Sequence, residues 1–85
     1  MANYRIEVKR SATKEIAALQ RADCQRVVAR LQALADEPRP PGCEKLTGDD
    51  KYRVRQGDYR ILYEIDDESR TVTIVKVGNR KGVYR

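Results

Sequence analysis

Three arginines stand close together in the second half of the chain: Arg53, Arg55 and Arg60. A guanidinium group is planar and permanently charged, and it binds phosphate oxygens through paired hydrogen bonds. Arg53 and Arg55 are two residues apart, so on a strand they point to the same side. Arg60 follows a Gly57-Asp58 turn that would return the chain alongside. Like charges facing each other across strands cost free energy unless an anion lies between them. The chemistry on offer is anion binding, unless carboxylates such as Asp58 or Glu64 pair with the arginines on a solvated strand face. Arg80, Lys81 and Arg85 follow the last strand and could reach the same surface. Tyr84 stands among them, and spacing alone assigns it no chemistry.

Other chemistries are closed off. There is no histidine, which removes His-based triads, His metal sites and His acid–base pairs. Cys24 and Cys43 are far apart and lack metal-ligand spacing, and two free thiols in a reducing cytoplasm are expected. No metal and no cofactor is expected. The net charge of +5 points to an anionic partner: nucleic acid, a membrane surface or an acidic protein. No stretch approaches membrane-spanning length, and Met1–Arg10 has no apolar core segment of a signal peptide. A cytoplasmic protein without membrane contact is expected.

The elements that must position these residues are legible in outline. Eighty-five residues make one domain, 1–85, with a modest core. Residues 3–8 alternate as a strand, with Tyr4, Ile6 and Val8 on one face. Ser11 reads as a helix N-cap, and Ala12, Ile16 and Leu19 give a short helix to about Gln20. Asp23 reads as the cap of a second helix. Its apolar stripe is Cys24, Val27, Val28, Leu31, Leu34 and Ala35, with Arg26, Arg30 and Asp36 opposite. Pro38 to Gly42 cannot continue a helix. Lys51–Gln56, Tyr59–Ile65 and Thr71–Val77 read as strands, the last a central one ended by Gly78. Tyr52, Val54, Tyr59 and Ile61 would face the helices, leaving Arg53, Arg55 and Arg60 on the other side. The expected fold is α+β in the order β-α-α-β-β-β: an N-terminal strand, a helical hairpin and a largely antiparallel meander.

The motifs Leu46-Thr-Gly, Tyr52-Arg-Val-Arg55, Gly57-Asp-Tyr-Arg-Ile-Leu-Tyr-Glu-Ile-Asp66 and Val77-Gly-Asn-Arg-Lys-Gly-Val-Tyr84 resemble the second half of RelE-type toxins. The opening strand and Ser-Ala-x-Lys-Glu helix match as well, so the likeness covers nearly the whole chain. It implies a small RelE-like domain and the toxin half of a type II toxin–antitoxin system. Such toxins cleave messenger RNA in the ribosomal A site, inhibit translation and are neutralised by an antitoxin. The resemblance implies a site of Arg53, Arg55, Arg60, Arg80 and Tyr84. Arg53 and Arg55 stand where the family's namesake has two lysines.

The implied reaction is attack of a ribose 2′-hydroxyl on the adjacent phosphate, with Tyr84 as general base and Arg60 and Arg80 on the phosphate. Arginine is a poor proton donor, so protonation of the leaving oxygen would fall to Lys51, Lys45, water or a guanidinium. Lys45, Lys51, Lys81, Arg85, Arg26 and Arg30 are the expected contacts to messenger RNA and the 70S ribosome. The expected antitoxin is a separate, acidic, RelB-like chain, and any DNA contact would run through it. Two other functions fit the same superfamily: a ParE-like DNA gyrase inhibitor without nuclease activity, and an inactive antitoxin-binding module.

Overall fold

The computed structural model describes residues 3–46 and 50–79. The opening alternation is realised as strand β1 (Arg5–Val8), which runs parallel to the last strand with Ile6 opposite Val72 and Val8 opposite Ile74. The pairing carries one residue further: the Lys9 N–H donates to the Ile74 carbonyl at 3.0 Å. The chain then turns directly into helix α1 (Arg10–Ala17), with Lys9 as N-cap. Ser11, expected to cap this helix, lies inside its first turn, and no side chain caps it. The cause is tertiary, since the parallel ladder decides where the chain leaves the sheet. The helix also closes at Ala18, short of the expected end near Gln20.

Helix α2 (Arg21–Asp36) has Gln20 as N-cap, not the expected Asp23. Asp23 sits in the first turn, where a carboxylate complements the positive helix end. It accepts the Tyr59 hydroxyl at 3.2 Å and pairs with Arg26 at 3.7 Å. Val27, Leu31, Leu34 and Ala35 are buried as their spacing requires. Val28 is 39% exposed, so the buried stripe is narrower than the apolar one. Arg30, expected on the solvated face, is half-buried, and its Nε is shielded from solvent.

After the proline loop come β2 (Glu44–Lys45), β3 (Lys51–Gln56), β4 (Tyr59–Asp66) and β5 (Thr71–Asn79). The sheet order is β1-β5-β4-β3-β2, antiparallel except for β1 against β5. The α+β order therefore stands with one added strand: β2 has two residues, too few to show an alternation. Gly57 takes a left-handed φ of +61° in the two-residue β3–β4 turn, a conformation that favours glycine. Strand β5 continues through Gly78 to Asn79 instead of ending at Gly78.

The helices cover one face of the sheet. Ala12, Val27, Leu31 and Leu34 pack against Val54, Ile61, Tyr63, Val72, Ile74 and Val77, with Tyr52 and Tyr59 at the margin. This is the face expected for Tyr52, Val54, Tyr59 and Ile61. Tyr52 stacks on Tyr63 with ring centroids 5.8 Å apart, which makes it a packing residue.

A polar network closes one end of this core. Arg39 lies 5.2 Å from the Tyr52 ring centroid and donates to Asp67 at 3.3 and 3.0 Å. The Tyr4 hydroxyl donates to the same carboxylate at 2.7 Å. Arg39, and then the Tyr4 hydroxyl, hold the Asp67 carboxyl below its ordinary range. A depressed folded-state pKa adds stability above the unfolded value, which is lost as pH falls through the folded one. The acid limb of the wild-type Tm profile should therefore drop below about pH 4, and Asp67→Asn should flatten it. Tm measured from pH 2 to 7 checks this; an unchanged limb would remove Asp67 from the acid response.

Candidate functional site

The β3–β4 register decides which side chains share a face. Val54 lies opposite Ile61 and Tyr52 opposite Tyr63, all towards the helices. The alternate pairs are Arg55 opposite Arg60, Arg53 opposite Leu62, and Lys51 opposite Glu64. These occupy the other face, so the three arginines do share one surface. On the far side of β4, Arg60 lies opposite Gly78 of β5, which carries no side chain.

The surface is not uniformly basic. Arg53 Nη2 lies 2.7 Å from Glu44 Oε2, and its side chain is only 18% exposed. Lys51 Nζ lies 3.7 Å from Glu64. The carboxylate pairing that would make a bland strand face thus exists at this end of β3. At the other end, Arg55 is exposed and forms no ion pair with another described residue. Arg60 is 7% exposed and is the buried charged residue among those described. A guanidinium held by its surroundings does not lose side-chain freedom when an anion arrives, and desolvation strengthens its attraction for one. Two guanidinium-bearing residues, Arg55 and Arg60, are thus opposed across β3 and β4 at the hairpin end of the sheet, with Gly78 on the next strand.

Several expected contacts lie elsewhere. Lys45 is opposite Tyr52 in the β2–β3 register, which turns it from the arginine face. Arg26 and Arg30 belong to α2, across the sheet from Arg55 and Arg60. Lys51 is on the arginine face but engaged by Glu64. Arg80, Lys81, Tyr84 and Arg85 lie outside the described residues. Glu44, the partner of Arg53, was not legible beforehand, because its two-residue strand carries no sequence signal.

A second feature lies on the helix side. Ile6, Val8, Ile16, Cys24, Val28 and Leu31 line an open apolar groove of about 460 Å³ between β1 and the two helices. Cys24 and Cys43 are both free and half-buried. Among the described residues no group of three or more His, Cys, Asp or Glu side chains could hold a metal ion.

The arrangement has relatives. The family model described as "ParE toxin of type II toxin-antitoxin system, parDE" matches residues 6–84. The chain is similar to the RelE–RelB complex from Pyrococcus horikoshii, at 31% identity over 95% of this chain and 99% of that one, with a TM-score of 0.83. It is also similar to the toxin–antitoxin complex RelBE2 from Mycobacterium tuberculosis, at 30% identity over 94% of each chain, with a TM-score of 0.84. Toxin RelG from Mycobacterium tuberculosis is 50% identical over 34 residues, which span 40% of this chain and 39% of that protein.

Proposed function

This chain belongs to the RelE/ParE superfamily of type II toxin–antitoxin toxins as a RelE-type member, and from that premise we propose that it is an endoribonuclease cutting messenger RNA in the ribosomal A site. The observation that carries the reading is the Arg55–Arg60 pair, opposed across adjacent strands beside Gly78. Two cations kept side by side in this way suit a phosphate between them.

The reaction needs no metal. The phenolate of Tyr84 takes the proton of a ribose 2′-hydroxyl, and the freed oxygen attacks the adjacent phosphorus. Arg60 and Arg80 hold the non-bridging oxygens and stabilise the charge that develops there. The bond to the 5′-oxygen of the next nucleotide breaks, leaving a 2′,3′-cyclic phosphate and a 5′-hydroxyl. A free phenol ionises near pH ~10, and neighbouring cations lower that value. Arg55 adds positive potential; Arg53 adds less, since Glu44 offsets its charge. With Lys45 turned away and Lys51 engaged by Glu64, protonation of the leaving oxygen falls to water or a guanidinium. A site with so poor an acid depends on the ribosome to set the RNA in line for attack.

The partner in the cytoplasm is a RelB-like antitoxin, in keeping with the RelE–RelB complexes among the similar structures. The apolar groove beside β1, with Val28 exposed in it, supports a protein partner on the helix side as well. DNA contact runs through the antitoxin.

The test is cleavage of a defined messenger RNA by purified protein with and without programmed ribosomes. Wild type should cleave only with ribosomes, and Tyr84→Phe should lower the rate by about 10²- to 10⁴-fold. Folded wild-type protein that cleaves in neither setting but blocks gyrase supercoiling would make the chain a ParE-like binding inhibitor.

A further inference from the structure

Strand β1 accompanies β5 only as far as Ile74, where the Lys9 N–H makes the last bond of the parallel ladder. Beyond it β5 runs on to Asn79 with β4 on one side and, among the described residues, no strand on the other. Backbone donors on that vacant side need another acceptor, because an unmet N–H in a half-buried strand costs free energy. Glu15 of α1 supplies it. Its Oε1 accepts the Val77 N–H at 3.0 Å, and its Oε2 takes Lys76 Nζ at 3.0 Å. The carboxylate is 30% exposed and spans two successive residues of β5. The β4–β5 register shifts just before this point, between Leu62 and Tyr63, so the stretch after the shift is set afresh. That stretch places Gly78 opposite Arg60 and leads into Arg80 and Tyr84 in sequence.

We propose that Glu15 is a positioning residue for RNA cleavage: by clamping Lys76 and Val77 it holds β5 in the register that sets Gly78 opposite Arg60. The proposal rests on the cleavage reading above. Glu15 does not touch the RNA. It acts through the backbone of β5, and a displacement of about 1 Å at a reacting group costs on the order of 10²-fold in rate.

Glu15→Gln and Glu15→Ala separate the clamp from general support of the fold. Glutamine keeps an acceptor for the Val77 N–H and loses the charge pair; alanine loses both. Each full-length variant would be tested with programmed ribosomes for kcat and KM, and by NMR for exchange of the Val77 amide and for backbone shifts of Gly78, Asn79 and Arg60. The expected result for alanine is faster Val77 exchange, altered shifts at Gly78, Asn79 and Arg60, a kcat lower by about tenfold or more, and an unchanged KM. Glutamine should restore most of the kcat. A folded alanine variant with an exposed Val77 amide and the wild-type kcat would overturn the proposal. If wild type itself does not cleave, the cleavage reading fails separately. The NMR then decides the clamp: shift changes that stop at Val77 overturn it, and changes reaching Gly78 and Arg60 in alanine but not glutamine uphold it.

Discussion

Arg60→Ala is expected to slow ribosome-dependent cleavage by about 10²- to 10³-fold, the usual cost of removing one aligned donor from developing negative charge. The expectation comes from where Arg60 sits. Its partner across β3 is Arg55 and its partner across β5 is Gly78, so its guanidinium borders both the second cation and the strand that leads to Arg80. At 7% exposure its side chain is closely surrounded. Arg60→Lys keeps the charge but not the planar fork, and should fall between wild type and alanine. The measurement is a single-turnover rate on programmed ribosomes, with Tm recorded for each variant because Arg60 is buried. A folded Arg60→Ala protein that cleaves at the wild-type rate would remove this residue from the site. Arg53→Ala should cost less, since Glu44 already offsets the charge of Arg53.

The second large effect falls on stability. Tyr63 is fully buried, stacks on Tyr52, and donates its hydroxyl to the Pro38 carbonyl at 2.7 Å. Burial first, then its neighbours, push its phenol well above the ordinary value, so it stays neutral. Tyr63→Ala removes a large core side chain, which costs about 3–5 kcal/mol. An 85-residue domain has on the order of 4–13 kcal/mol in total. The alanine variant should therefore lose a large share of its stability and unfold at a much lower urea concentration. Tyr63→Phe keeps the ring and strands the Pro38 carbonyl, at about 1–3 kcal/mol. Urea unfolding of the three proteins checks the order. A partner that binds only the folded chain should recover the alanine variant in part. Equal midpoints for wild type and alanine would contradict a core built around Tyr63.

Much of the architecture was legible because it depends on short-range periodicity. Val54, Ile61 and Tyr63 alternate with Arg53, Arg55, Arg60 and Leu62, and strand geometry turns that alternation into two faces. Gly57 in a two-residue turn makes the hairpin and brings Arg55 opposite Arg60. The four buried residues of α2 follow from helical spacing. The family was legible too, in motifs from Leu46 to Tyr84 that fall within the matched residues 6–84.

The sequence by itself thus determined the two faces of the sheet, the hairpin and the presence of a basic surface. Only the tertiary structure decided which of the basic residues stay available. Arg53 is offset by Glu44 and Lys51 by Glu64, while Lys45 is turned away and Arg55 remains exposed. The helix starts at Lys9 and Gln20, in place of Ser11 and Asp23, were decided the same way, as was the Glu15 clamp on Val77. The physical reason is common to all of these. Which faces are apolar is a property of neighbours along the chain. Strand register, the end of the β1–β5 ladder and the meeting of Glu15 with β5, 62 residues further on, are properties of the packed whole.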